Sequence, residues 1–124
     1  MLASILAAIF ALLALLHFYW AARGVGGSSA AIPEIGGKPA FRPSKAATAA
    51  VGLALLGTSA IVLMHQTLLI AGAAAVLILR AIGDFRLVGF FKRVRGTRFA
   101  RLDTLFYSPL CLALGAAFAF LAAN

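Results

Sequence analysis

From Ala46 to Leu79 the chain contains no aspartate, glutamate, lysine or arginine, and His65 is the one histidine in that stretch. A transmembrane helix needs about 20 predominantly apolar residues to cross about 30 Å of hydrocarbon. The stretch is much too long for one crossing and slightly short for two crossings of standard length. Because the polar triplet at positions 65–67 divides it, we predict one helix over 44–64 and another over 67–83.

The composition of the whole chain agrees with a lipid environment. Its 124 residues are 64% hydrophobic and 11% charged, and the mean hydropathy is +1.06. Soluble domains are usually about 45–50% apolar and about 25% charged. A short chain cannot hide so much apolar surface from water, so a soluble globular domain is excluded. A disordered chain is excluded too, because such chains are poor in apolar residues.

Two further spans are predicted nearer the chain ends. The first covers 2–22 and contains one histidine, His17; Tyr19 and Trp20 near its end are typical of side chains at a membrane interface. Because no lysine or arginine precedes this span, we interpret it as a retained helix rather than a signal peptide. The last span covers 103–123.

Local signals indicate how these helices begin. Residues 24–43, rich in glycine, serine and proline, are expected to form an irregular loop, and Ser44 is expected to cap the second helix. For the last helix, Asp103 or Ser108 is the expected N-cap. Pro109 is expected either to kink this helix or to occupy its first turn.

The basic residues predict the topology. All eleven lysines and arginines fall in or beside the two loops that follow helices one and three. They are Arg23, Lys38, Arg42, Lys45, Arg80, Arg86, Lys92, Arg93, Arg95, Arg98 and Arg101. The positive-inside rule then predicts an all-α, integral membrane four-helix bundle, with residues 1–124 as a single transmembrane domain and both termini outside.

Two sequence elements carry a resemblance to a known family. One is the His-x-Tyr-Trp element at positions 17–20, followed by Gly24, Gly26 and Gly27. The other, from Arg80 to Gly115, reads RAIGDFRLVGFFKRVRGTRFARLDTLFYSPLCLALG. With them the chain resembles a family of small bacterial inner-membrane proteins whose function is unknown. The resemblance covers most of the chain; it implies four helices and a multi-pass location in the bacterial inner membrane, and it assigns no catalytic residue.

The connection between helices three and four has an amphipathic pattern. Leu87, Phe90, Phe91 and Val94 follow the i, i+3, i+4, i+7 spacing of a helix. We therefore expect a short interfacial helix that touches anionic lipids, which would be the principal partners of the protein. The candidate headgroup-binding residues are Lys92, Arg93, Arg95, Arg98 and Arg101. The alternative is a solvated connector whose basic residues only set the topology.

Polar residues near the same interface form the candidate ligand site. They are His17, Tyr19, Trp20, Arg80, Asp84, Arg86, Asp103 and Tyr107. Each aspartate stands near arginines, so we expect both carboxylates to be ionised and paired with guanidinium groups in a bidentate manner. We favour a structural clamp that fixes the loop over a catalytic role, because ion-pair networks commonly act in this way.

Three functions remain open. The first is binding of a lipid or a small lipophilic or anionic ligand at this polar cluster. The second is a small membrane enzyme that uses His17 with Asp84 or Asp103 as acid and base. The third is a channel or transporter made of several copies of the chain, because four helices enclose little space.

The positions of the ionisable residues and of the one cysteine exclude several other functions. A proton-coupled exporter needs an ionisable group deep in a helix, and no carboxylate lies well inside a predicted span. One cysteine, Cys111, and two distant histidines do not form a haem or zinc site. Basic residues beside apolar spans favour lipid over nucleic acid. We therefore predict no nucleic-acid partner, no metal and no cofactor.

Overall fold

A computed structural model describes residues 1–24 and 31–124. Its helices are α1 (Leu2–Arg23), α2 (Lys45–Leu63), α3 (Thr67–Ile82), α4 (Arg98–Leu102) and α5 (Ser108–Ala123). A π-helical turn over Asp103–Tyr107 joins α4 to α5 without interruption. The strands are β1 (Glu34–Ile35) and β2 (Lys38–Pro39). The predicted all-α class is confirmed.

Three helical segments are long and apolar enough to cross a membrane, namely Leu2–Arg23, Lys45–Leu63 and Arg98–Ala123. This result agrees with the expectation of a membrane protein. The remaining apolar helix, α3, has 16 residues and is shorter than the usual crossing length of about 20 residues.

The division between α2 and α3 at positions 64–66 is confirmed, although the turn contains neither glycine nor proline. His65 has a φ of 54°, in the left-handed region. Its N–H donates to the carbonyl of Val62 and the N–H of Gln66 donates to that of Ile61, at 3.2 Å each. This is the Schellman arrangement, with histidine in the position that glycine usually takes. Histidine is among the residues that most often tolerate a positive φ, so the turn forms without glycine.

The helices pack as two antiparallel pairs, α1 with α2 and α3 with α5. In the first pair Ser59 Oγ donates to the carbonyl of Ala7 at 2.7 Å. In the second, a Cβ added to Gly115 would lie 2.8 Å from a side-chain carbon of Ile78, so the glycine permits close approach.

One apolar core joins the two pairs. It contains Leu6, Phe10, Val62, Ile70, Ala74, Leu114 and Phe118, and the rings of Phe10 and Phe118 have centroids 5.1 Å apart. These residues come from the first half of α1, the end of α2, the first half of α3 and the middle of α5. We call this end of the bundle the turn end, and the opposite end, with residues 31–44 and the loop 83–97, the loop end.

Part of the first loop is more regular than predicted. Glu34 pairs with Pro39 and Ile35 with Lys38 in an antiparallel hairpin. Gly36 and Gly37 have φ values of +61° and +79°. A two-residue turn with positive φ at both positions is the type I′ geometry that matches the twist of a hairpin. Positions 25–30, with the predicted loop residues Gly26 and Gly27, lie outside the described residues.

Ser44 is confirmed as the N-cap of α2, because its hydroxyl accepts from Ala47 N at 3.0 Å. The predicted start of the last helix is wrong. The helix begins at Arg98, where the hydroxyl of Thr97 accepts from Ala100 N at 3.0 Å. Asp103 and Ser108 therefore lie inside the helix and cap nothing.

The π-helical turn stands directly before Pro109, which occupies the first turn of α5. Proline has no N–H to donate, and its ring collides with the carbonyl four residues earlier in a regular α-helix. A wider turn avoids that collision. The proline is thus accommodated in its first-turn position within a continuous helix.

The expected amphipathic helix is absent from residues 83–97, which the structure describes in full. Gly83 and Gly89 both have a φ of +89°, and their backbones cross so closely that a Cβ on either would lie within 2.5 Å of backbone atoms. Phe90 N donates to the carbonyl of Ala81 at 2.8 Å. The helical spacing of the four apolar residues was misleading because these turns fold the segment back on the end of α3.

Candidate functional site

The structure distributes the eight candidate ligand-site residues over several places at and near the loop end. His17 and Trp20 line a cavity between α1, the hairpin segment and α2. Arg80 and Asp103 belong to a buried ionic cluster. The other four are Tyr19, Asp84, Arg86 and Tyr107.

The cavity has a volume of about 200 Å³. His17 and Trp20 stand three positions apart on α1 and therefore lie on the same helix face. Their rings are in edge-to-face contact, with centroids 5.1 Å apart and an interplanar angle of 67°. From the hairpin segment Ile32 and Phe41 complete the wall, and Ile32 is buried. The walls are thus mainly apolar, as in most small-molecule sites.

The polar atoms of His17 and Thr48 in this cavity have a defined hydrogen-bonding character. His17 Nδ1 lies 2.8 Å from the carbonyl oxygen of Leu13. A carbonyl oxygen only accepts, so Nδ1 carries the proton, and in the neutral ring Nε2 is an acceptor. Thr48 Oγ1 donates to the carbonyl of Ser44 at 2.9 Å, so its oxygen is likewise left to accept. A ligand that donates a hydrogen bond suits both atoms.

Tyr19 does not line the cavity. Successive residues of a helix are separated by about 100°, so Tyr19 faces nearly opposite to His17. Its side chain is 59% exposed. Because it is exposed and lies on the face of α1 away from the cavity, it serves as a matched control for changes in the cavity.

Asp103 is the centre of the ionic cluster. Its Oδ1 accepts from Arg80 Nη2 at 2.8 Å, and its Oδ2 lies 3.2 Å from Lys92 Nζ. The N–H of Gly89 also donates to Oδ2 at 2.7 Å. Arg80 makes this contact through one nitrogen, and its other terminal nitrogen is buried without a partner among the described residues. Asp103 is thus paired as expected, but through one guanidinium nitrogen and a lysine.

Lys92 is buried, with no exposed side-chain surface. Besides Asp103, its ammonium donates to the carbonyl of Gly89 at 3.0 Å and to the hydroxyl of Thr104. Lipid headgroups do not reach it, so the expectation that Lys92 binds them is wrong. Its charge instead fixes the loop 83–97 on the last helix.

Asp84 is exposed and is held by the backbone. Its Oδ1 accepts from the N–H groups of Arg86, Leu87 and Val88 at 2.8–3.1 Å. Partial burial raises the pKa of the carboxyl, but these three N–H groups outweigh that effect, and the pKa lies below its ordinary value. The expected pairing of Asp84 with guanidinium groups is wrong, because both ion pairs within the described ranges involve Asp103.

The remaining candidates, Arg86 and Tyr107, do not line the cavity. Arg86 is exposed, and its carbonyl accepts from Arg93 N and Val94 N, which closes the loop. Tyr107 is half-buried, and its ring lies against that of Phe99, with centroids 5.7 Å apart. Arg86 thus contributes a backbone carbonyl to the loop, and the ring of Tyr107 packs on that of Phe99.

The exposed arginines of the headgroup set are Arg93, Arg95, Arg98 and Arg101. Arg95 is the most constrained, because its Nε donates to the carbonyl of Lys92 at 3.1 Å and its Nη2 to that of Phe90 at 2.8 Å. Arg95 and Arg101 also line a second hollow, of about 320 Å³.

An acid–base pair of His17 with either aspartate does not form in the cavity, since neither Asp84 nor Asp103 is among its lining residues. Sequence reasoning also missed Ile32, Phe41 and the role of Gly89. The two apolar residues carried no signal, because their loop is distant in sequence from His17. The glycines at 83 and 89, on either side of a short segment with an aspartate, were a turn signal that could have indicated the tight loop.

A model of the family described as "Protein of unknown function (DUF3995)" matches residues 10–118. The match includes both the His-x-Tyr-Trp element and the segment from Arg80 to Gly115. No curated protein and no solved structure matches the chain significantly.

Proposed function

The chain belongs to the DUF3995 family of proteins of unknown function, and we propose that it is a membrane protein that binds a small lipophilic molecule in the cavity beside His17 and Trp20. The ligand class is an apolar ring that carries a hydroxyl group. The cavity itself is the observation that carries this proposal.

Size supports a ring rather than a whole lipid. Drug-sized ligands occupy about 300–1,000 Å³, whereas an apolar cavity of about 150 Å³ accommodates benzene. The volume of about 200 Å³ lies between these values. A longer apolar tail would extend past the exposed Phe41 into the surrounding lipid.

Polarity supports a hydroxyl group on that ring. His17 Nε2 and Thr48 Oγ1 both act as acceptors, because each residue gives its own proton to a helix carbonyl. A phenolic hydroxyl donates to one of them, while the ring packs on the apolar wall. A ligand that offers only acceptors would leave both atoms without a hydrogen bond from the ligand, which lowers its affinity.

The test uses the fluorescence of Trp20, which is the only tryptophan of the chain. The detergent-solubilised protein is titrated with 4-propylphenol and with 4-propyltoluene, which lacks the hydroxyl group. His17→Phe is expected to weaken binding of the phenol about tenfold, since one buried hydrogen bond contributes about 1.4 kcal/mol or a factor of ten. The affinity of His17→Phe for 4-propyltoluene is expected to remain within twofold of the wild-type value.

Two variants complete the test. Tyr19→Phe, on the opposite face of α1, is expected to leave both affinities unchanged, and Ala47→Phe is expected to fill the cavity and abolish both. The proposal fails if the wild-type protein shows no saturable response to the phenol. It also fails if His17→Phe weakens both compounds equally, because the hydroxyl group would then have no role.

For the orientation, we propose that the loop end faces the cytoplasm of a bacterial inner membrane, which the chain crosses four times. All eleven basic residues lie at this end or within a few residues of it, as the positive-inside rule requires. In a Cys111→Ser background, a cysteine at Gly37 should react with a membrane-impermeant maleimide only after the cells are opened. A cysteine at His65 should react in intact spheroplasts, and the reverse pattern would overturn this orientation.

A further inference from the structure

The second hollow lies between the end of the loop 83–97 and the first turns of the last helix. Its volume is about 320 Å³, and it is separate from the cavity beside His17. Arg95 lies on the loop side. Arg101 and Leu105, four positions apart, lie on one face of the helix together with Thr97 and Thr104.

Among the described residues, neither Arg95 nor Arg101 pairs with a carboxylate. The ion pairs among the described residues are those that Asp103 makes with Arg80 and Lys92. Arg95 is held in place by carbonyl oxygens, and these two bonds use two of the five N–H groups of its guanidinium. Its positive charge is therefore oriented in advance but not neutralised.

The two threonines add donors rather than acceptors. Thr97 Oγ1 accepts from Ala100 N, and Thr104 Oγ1 accepts from Lys92 Nζ. A hydroxyl oxygen that accepts from a nitrogen donor still has its own proton to give. The hollow thus presents two guanidinium groups and two hydroxyl protons, a set that suits an anion with several oxygens.

We propose that this hollow binds a phosphate group. Arginine pairs with phosphate through two parallel N–H bonds, and such charge-assisted bonds are stronger than neutral ones. The exposed Leu105 and Phe106 continue from the hollow along the apolar helix. An anionic phospholipid would therefore place its phosphate between Arg95 and Arg101 and its acyl chains beside these two residues.

The decisive comparison is between Arg101→Gln and Arg98→Gln. Both arginines are exposed on the same short helix and carry the same charge, but only Arg101 lines the hollow. Native mass spectrometry would measure the occupancy of phosphatidic acid and phosphatidylglycerol, with phosphatidylcholine as the zwitterionic reference. Arg101→Gln is expected to lower the affinity for the anionic lipids at least fivefold, and Arg98→Gln to change it less than twofold.

Arg95→Gln should have an effect at least as large as that of Arg101→Gln. Because Arg95 also holds the loop, the thermal midpoint of the Arg95→Gln variant in detergent is compared with that of the wild-type protein. If the midpoint of this variant is lower, only the lipid affinity of Arg101→Gln is used to judge the proposal. Equal losses in Arg101→Gln and Arg98→Gln would overturn the proposal, since they would indicate diffuse attraction to the membrane. No loss in either would overturn it too.

Competition with inorganic phosphate shows whether the bound phosphate group belongs to a phospholipid or is the free anion. If millimolar phosphate displaces the bound lipid, and Arg101→Gln reduces phosphate binding measured by ³¹P NMR, the hollow takes the free anion as well. If phosphate has no effect while the lipid affinity still depends on Arg101, the acyl chains contribute and the occupant is the phospholipid. The outcome with propylphenol in the His17 cavity is independent of both results.

Discussion

The ammonium nitrogen of Lys92 lies 3.2 Å from Oδ2 of Asp103, and neither side chain has exposed surface. The second carboxylate oxygen binds Arg80 on α3. One carboxylate thus connects α3, the loop 83–97 and the last helix at the loop end of the bundle. This arrangement agrees with the structural clamp that the sequence suggested as an alternative to catalysis.

Asp103→Asn should strongly destabilise the protein. Removing one partner of a buried ion pair costs about 3–5 kcal/mol, because the other charge stays buried without compensation. We expect a clearly lower thermal midpoint in detergent, whereas Asp84→Asn at an exposed carboxylate should change it little. The double replacement Lys92→Met with Asp103→Leu should recover part of the loss. A midpoint for Asp103→Asn equal to that of the wild-type protein would contradict the clamp.

Gly89→Ala should loosen the loop 83–97. A Cβ at this position would lie 2.2 Å from the carbonyl oxygen of Ile82, which is backbone and does not move aside. Gly96→Ala is the matched control, because Gly96 has a similar φ of +97° but open space around it. We expect the control to cost about 1–2 kcal/mol from backbone strain alone and Gly89→Ala to cost more. Limited proteolysis of the loop measures the difference, and equal cleavage of both variants would count against the close crossing.

Asp84 should make the loop sensitive to acid. Because the folded state lowers the pKa of this carboxyl, its contribution to stability is complete above the ordinary value of 3.8. That contribution is lost as the pH falls through the lower folded value. In that range the amides of Arg86, Leu87 and Val88 should lose protection, so that their exchange becomes faster relative to the intrinsic rate at the same pH. In Asp84→Asn the rates, corrected for intrinsic exchange, should show no such step, and a step of equal size in this variant would assign the effect to another group.

Gly115→Ala should push α3 and α5 apart. The added methyl group would meet a side-chain carbon of Ile78 at 2.8 Å and the carbonyl oxygen of Ala74 at 3.3 Å. Overpacking of this kind costs about 1–3 kcal/mol. Gly72→Ala, on α3 but with nothing within 4 Å, should be neutral or slightly stabilising. The stabilities of the two variants are compared by unfolding in increasing concentrations of a denaturing detergent. If Gly115→Ala were more stable than Gly72→Ala, the tight contact at Gly115 would be refuted.

The sequence predicted the helices well because hydropathy and length are local properties. The boundary at His65 is an example, since a polar triplet in an apolar stretch had to interrupt it, and the turn there is found at residues 64–66. The start of the last helix was missed for a related reason. Arg98 and Arg101 look like loop residues by charge, but a helix that reaches beyond the apolar layer carries charged side chains on its exposed turns.

The candidate site was predicted only in part, because burial depends on contacts that are distant in the chain. Lys92 and Arg93 are neighbours with the same charge, yet one is buried against Asp103 and the other is exposed. Asp84 and Asp103 both stand among arginines, yet one is held by backbone N–H groups and the other by two cations. Nothing local in the sequence separates the members of either pair.

The sequence by itself determined that this is an apolar helical protein with its basic residues near one end, because composition and spacing suffice for that. Only the tertiary structure decided which polar residues can meet a ligand. The fold of the hairpin segment brings Ile32 and Phe41 to His17, and together they line a cavity there. The crossing of Gly83 and Gly89 turns the loop inward, which buries Lys92 and leaves Arg95 and Arg101 around an open hollow.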